Sequence, residues 1–338
     1  MLPNLLTHNA PSCSMRLLEC SSSALMSVLS PSFEHSSSAA CGDVLKFFAD
    51  LIVGALVFCK AEQLLVPFSA LHSLAHLVDE RFLCCGQPQR TFSDLLKSDR
   101  LVVLTKPRDV PQLIKLFPDF KNVCICVPSG PLSSRMLFDG KYLEEFYAEE
   151  FNPALSALAD AGPYSVTAWM RSALTCRYEG LYVPSVRVAE TAAKLLSIDI
   201  GGERGSCRCN RVVLEEGVCG LTPRWLETVV KTVASCGVSI SSSIGLALCD
   251  RNCQEVDENY LLSKATGMGI SCIAATAVPA PLFPRAERLI STDSVASFVS
   301  GWNDAAGAGV AAGDDLDWSE DCVEYCTAIR DRWKMFNQ

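Results

Sequence analysis

The chain has 338 residues, 49% of them hydrophobic and 20% charged, which suits one large globular α/β domain with a sizeable core. Its 29 basic and 38 acidic residues give a formal charge of −9, so no basic nucleic-acid footprint is present. No run of about 18 consecutive apolar residues occurs, so no membrane span is predicted.

Short β-rich apolar runs alternate with longer helical patterns along the chain. MRLLEC, 15–20, is the first predicted strand. A Ser-rich loop and a helix near 43–50 follow, and LIVGALVFC, 51–59, is read as the second strand. A helix covers roughly 66–83. LVVLT, 101–105, is the third strand, backed by the helix DVPQLIKLF. NVCICV is the fourth, before a long helix near 141–160. YSVTAWM is the fifth, with VRVAETAAKLL behind it. RVVLE is the sixth, with TPRWLETVVKTVASC behind it. The glycine-bearing GGERGSC, 201–207, follows a helix and reads as a loop. VSISSSIGLAL is the seventh strand and ISCIAAT the eighth, each followed by a helical pattern, and a last helix covers about 319–335. Eight strand–helix units predict a closed (β/α)8 TIM barrel over 15–310. An open doubly wound sheet is the competing architecture. An N-terminal extension or short presequence precedes the barrel at 1–14, and a C-terminal helical segment occupies 311–338. Neither a nucleotide-binding glycine fingerprint nor a phosphate loop follows any strand.

Eighteen cysteines are many for this length. Cys124, Cys126 and Cys272 sit inside apolar runs, where a thiol behaves as a small hydrophobe. The spacing resembles no disulfide framework, which points to a reducing compartment. The close pairs, Cys84-Cys85, Cys207-x-Cys209, Cys249-x3-Cys253 and Cys322-x3-Cys326, make no recognised zinc spacing, so they too read as packing residues. His72 and His76 share a helix face, but Ser73 stands where a zinc protease has its glutamate. With His8 and His35 they complete the histidines of the chain. The acidic DDLDWSED, 314–321, lacks the glycine and closing glutamate of a calcium loop and reads as helix capping.

RSALTCRYEG, 171–180, resembles the S-C-x-x-G-C-P-Y-E-G segment of the 3-hydroxy-3-methylglutaryl-CoA lyases. LEEGVCGLTP resembles that family's L-G-D-T-I-G-V-G-T-P turn, and IGLALCD its L-A-V-H-C-H-D. ATGMGISCIAAT and ISTDSVASFVSGW find counterparts in the same order, so the resemblance is collinear over nearly the whole chain. It implies an aldolase-type barrel in which a magnesium or manganese ion chelates the substrate and a general base starts a retro-Claisen cleavage of hydroxymethylglutaryl-CoA.

The residues that this chemistry needs are replaced. Ser23 and Ala24 stand at the family's arginine and metal-binding aspartate. Ala247 and Cys249 stand at its two imidazoles, and Leu289 at its asparagine ligand. Phe283 takes the place of its loop cysteine and Phe58 that of its second-strand glutamate. Glu216 alone remains as an acidic remnant. No histidine follows His76, so no H-x-H is hidden in the second half. A rebuilt site of Cys249, Asp250 and Glu216 is the alternative, and it would favour zinc or iron. The expectation is therefore a degenerate lyase-like protein with no resident cofactor, acting as a structural or interaction subunit in a homo- or hetero-oligomer. The alternatives are an active lyase with magnesium or manganese, and a non-catalytic acyl-CoA binder. The apolar stretches Phe47–Phe58 and Val278–Phe283 are the expected subunit contacts. Residues 1–18 carry no acidic group, although their single Arg16 is fewer than a mitochondrial presequence usually has; a mitochondrial location is the expectation, with the cytoplasm as alternative.

Overall fold

In the computed structural model, which describes residues 16–20, 38–59, 61–87, 90–250, 258–278, 287–305 and 317–336, the apolar runs become strands buried on both faces. In chain order the strands are β1 (Arg16–Glu19), β2 (Gln63–Pro67), β3 (Leu101–Thr105), β4 (Asn122–Pro128), β5 (Tyr164–Cys176), β6 (Gly180–Tyr182), β7 (Asp199–Gly201), β8 (Ser206–Glu216), β9 (Ile244–Ala247) and β10 (Cys272–Ala275). Parallel pairing runs β1–β2–β3–β4–β5–β8–β9–β10 and returns to β1. An open sheet has two free edges. Here β10 pairs with both β9 and β1, so the sheet closes as an eight-stranded (β/α)8 barrel among the described residues. β6 and β7 are antiparallel additions to β5 and β8.

The predicted second strand is not a strand. Residues 51–57 continue a helix, Ser38–Val57, and the second barrel strand is the next run, Gln63–Pro67. The confusion has a physical cause. A short apolar run reads the same in a strand and in a helix covered on more than one side. This helix is so covered. Its Phe47, Phe48, Leu51 and Ile52 lie in the barrel's core cluster, and the helix Asp317–Phe336 lies across it. A Cβ at Gly54 would fall inside the Tyr325 ring, so only glycine permits that crossing. Tyr325 Oη donates to Leu51 O at 3.1 Å, and Arg332 pairs with Asp50 at 2.6 Å.

Two expectations fall with that strand. Phe58 lies past the end of the helix, 37% exposed and stacked on Tyr325 at 5.7 Å between centroids, rather than at a strand end. The stretch from Phe47 to Leu56 is buried within its own chain rather than offered to another subunit. Of the second proposed contact stretch, Val278 is buried, and 279–283 lie outside the described residues. Ile52→Val is therefore expected to cost about 0.5–1.5 kcal/mol by removing a buried methylene. Chemical denaturation should give the same loss at every protein concentration. A loss that grows on dilution would instead mark an interface.

Other differences are smaller. The predicted 141–160 helix is interrupted: a π turn, Phe146–Phe151, precedes the helix Asn152–Ala161. Pro153 has no N–H to bond the preceding turn, so the ladder shifts there. Residues 240–243 form a helical turn, and β9 keeps only the apolar end of the predicted seventh strand. GGERGSC is the tip and flanks of the β7–β8 hairpin rather than an open loop. A helix that the apolar pattern did not announce, Phe92–Lys97, starts on a Thr91–Asp94 capping box. The histidine pair falls on the helix Phe68–Cys84, where exposed His76 lies 3.7 Å from Glu80. Cys124 and Cys272 are buried, and burial pushes the Cys126, Cys207 and Cys209 thiols up to about 12, so they pack as neutral groups. Among the described residues no helix is long and apolar enough to cross a membrane.

Candidate functional site at the barrel mouth

Barrel enzymes place their chemistry where the strands end. Here the ends of β5, β8 and β9 bring polar groups together, and each is engaged by the protein itself. Arg171 lies towards the end of β5 and Glu215 towards that of β8. Their side chains meet with Nε 2.8 Å from Oε2, and Ser172 N donates to the same oxygen at 2.7 Å. Both side chains are buried, at 8% and 2% exposure. The β5–β8 register breaks between Met170 and Thr175, and Ser172 sits at φ 53°, in the left-handed region. This bulge aims the Ser172 N–H at the carboxylate. Gly217 accommodates it: a Cβ there would lie 2.1 Å from Ser172 Oγ.

Glu216, which the resemblance marked as an acidic remnant, is fully buried and faces inward to the turn. Its Oε1 accepts from Gly220 N and Leu221 N at 3.0 and 2.9 Å, and its Oε2 accepts from Cys249 N at 3.0 Å. One carboxylate thus folds the turn after β8 and ties it to the residue beyond β9. Cys249 returns the contact, with Sγ donating to Glu216 O at 3.1 Å. Burial, with the neighbouring Glu216 charge, raises the Cys249 thiol above its ordinary range and keeps it neutral. Leu289 forms an antiparallel bridge to Cys249, and Asp250 N donates to Arg288 O at 2.9 Å. Ala247 is completely buried beside them.

The fold therefore brings Glu216, Ala247, Cys249 and Leu289 to one place, as the resemblance implied, with Asp250 beside them. Phe58 lies elsewhere, and Ser23, Ala24 and Phe283 fall outside the described residues. A hard divalent ion takes about six oxygen ligands. Ala247 and Leu289 offer no donor, Cys249 offers a neutral thiol, and the Glu216 oxygens are turned to backbone N–H groups. These residues do not fit magnesium or manganese. Nor do Cys249, Asp250 and Glu216 bring three ligand atoms within 4.8 Å of one another, a convergence found among the described residues only elsewhere.

Residues retained in the resemblance have visible structural work. Glu179, in RSALTCRYEG, accepts from Leu132 N and Ser133 N at 2.6 and 2.9 Å and from Arg187 at 2.8 Å, fixing the chain after β4. Cys176 Sγ accepts from Tyr178 N and Glu179 N. Thr222 caps the helix Pro223–Ser235 by accepting from Trp225 N. The Arg171–Glu215 pair was not singled out in the sequence. Its signal was there: a charge follows each of two apolar strand runs, with opposite signs.

No protein-family model matches the chain, and no curated protein matches it. Solved structures do. A hydroxymethylglutaryl-CoA lyase from Pseudomonas aeruginosa superposes with a TM-score of 0.63 at 16% identity, covering 94% of this chain and 93% of that one. One from Brucella melitensis gives 0.61 at 15% identity, covering 94% and 99%. One from Acinetobacter baumannii, in complex with coenzyme A and 3-methylmalate, gives 0.60 at 12% identity, covering 95% and 93%. At these identities the likeness is one of fold: a (β/α)8 TIM barrel, spanning nearly the whole length of both chains.

Proposed function

We propose that this chain is a lyase-fold protein without lyase chemistry, retained as a structural or interaction subunit. One observation carries the reading: Glu216, the acidic remnant at the mouth, is spent on three backbone N–H groups, beside Ala247 and Leu289, which have nothing to coordinate with. Without a Lewis acid or imidazole, a developing enolate has no counter-charge, and such electrostatic stabilisation is commonly the largest catalytic term. A barrel persists without its chemistry because core and site draw on different residues. The assembly in which it serves is proposed to be mitochondrial, in keeping with an N-terminal stretch free of acidic residues through position 18.

A second reading, non-catalytic acyl-CoA binding, is favoured by the fold neighbour captured with coenzyme A. Purified full-length protein, incubated with hydroxymethylglutaryl-CoA and magnesium or manganese, is expected to release no acetoacetate above a protein-free blank. Restoring imidazoles with Ala247→His and Cys249→His is expected to cost about 1–3 kcal/mol per site through overpacking, without gain of activity. Turnover by the unaltered chain would overturn the proposal. Calorimetry with coenzyme A decides the second reading, and a saturable signal without turnover would support it. The native protein should run in a complex larger than the single chain, and a lone monomer would count against the subunit role.

A further inference from the structure

Ligating atoms converge at a second place, away from the barrel mouth. Cys59 follows the helix Ser38–Val57, whereas Cys322 and Cys326 lie one turn apart on the helix Asp317–Phe336, so they share a face. The three sulfurs all lie within 4.8 Å of one another. Their residues are essentially shut off from solvent, at 1%, 0% and 0% exposure. The thiols do not hold the helices in register by themselves. The Gly54–Tyr325 crossing, the Phe58–Tyr325 stack and the Arg332–Asp50 pair already do so, which leaves the sulfurs preorganised.

Cys124 and Cys272 are single buried thiols packed on strands. Three meeting at one point is a different arrangement. A zinc–sulfur bond is about 2.3 Å, so sulfurs around one ion lie about 3.8 Å apart in tetrahedral and about 4.0 Å apart in trigonal geometry. The cluster needs to contract by about 1 Å at most to reach either, which is within the range of small side-chain rotations. Cys322 lies within hydrogen-bond reach of both Cys326 and Cys59, so the three sulfurs already face one another. Soft thiolate sets select zinc, copper(I) and related ions over hard cations.

We propose that Cys59, Cys322 and Cys326 form a trithiolate site for a thiophilic d10 ion that clips the C-terminal helix to the helix Ser38–Val57. Zinc(II) would take a fourth ligand from outside the trio, and copper(I) would need none. No electron is transferred: each thiol that ionises on binding releases its proton to solvent. The pair Cys322-x3-Cys326 matches no familiar zinc spacing because its third partner lies more than 250 residues away in sequence.

The test uses the full-length chain, purified metal-free under reductant. Zinc(II), cobalt(II) as its spectroscopic substitute, and anaerobic copper(I) are titrated separately in the presence of a competing chelator. About one equivalent of zinc or copper(I) should bind, the tighter of the two identifying the ion. Cobalt should give a thiolate charge-transfer band that Cys322→Ser abolishes and Cys84→Ser, at an exposed position, leaves intact. Because Cys322→Ser removes a core group, alkylation of the unaltered chain provides an independent reading. Loaded protein should protect Cys59, Cys322 and Cys326 selectively under mild denaturation, while exposed Cys84, Cys85 and Cys236 react. Absence of stoichiometric binding by every one of these ions would overturn the proposal. So would a band that survives Cys322→Ser, or a disulfide within the trio in protein isolated without reductant.

Discussion

Glu216→Ala is expected to destabilise the protein by about 3–5 kcal/mol in chemical denaturation. The carboxylate accepts from Gly220 N, Leu221 N and Cys249 N in a fully buried position. Hydrogen bonds to a charged acceptor each contribute roughly 1.5–3 kcal/mol, and orphaned buried donors cost about 1–3 kcal/mol apiece, less than additively. Glu216→Gln keeps one carbonyl oxygen and should recover part of the loss. A residue kept as a metal ligand would behave otherwise, since its removal would lower metal content with little effect on folding. A loss below about 1 kcal/mol would refute the structural role of Glu216 in folding the turn after β8.

The second large effect concerns the Arg171–Glu215 pair. Arg171→Met is expected to cost about 3–5 kcal/mol, because it leaves a carboxylate buried without its guanidinium. Glu215→Leu alone should cost a similar amount and also removes the acceptor for Ser172 N. The double replacement should be less damaging than either single one, since a buried pair exchanged for apolar groups of similar size is often neutral. Its residual cost should be about 1–3 kcal/mol, from the Ser172 N–H left at the bulge. Equilibrium unfolding of all four proteins completes the cycle. Additive losses would show that the two charges do not act as a unit, and that the mouth is not held by their contact.

Much of the barrel was legible because period and length carry it. LVVLT is β3 residue for residue, and the NVCICV, YSVTAWM and RVVLE runs fall within β4, β5 and β8. These runs are apolar because both of their faces are buried, a local pattern with a global cause. That Ala247 and Leu289 carry no ligating atom was legible too, since residue type alone determines whether a side chain can ligate. What Glu216 does was not. Its partners are backbone N–H groups of its own turn and of Cys249, and hydrogen-bond geometry leaves no mark on composition. The helix Ser38–Val57 was hidden for a related reason: its apolar character comes from the barrel on one side and Tyr325, more than 260 residues later, on another. The Cys59–Cys322–Cys326 cluster shares that cause. The sequence by itself determined the alternation of strands and helices and which side chains at the mouth carry a donor atom. Only the tertiary structure decided which residues meet, because chain closure brings together groups whose spacing along the sequence is arbitrary.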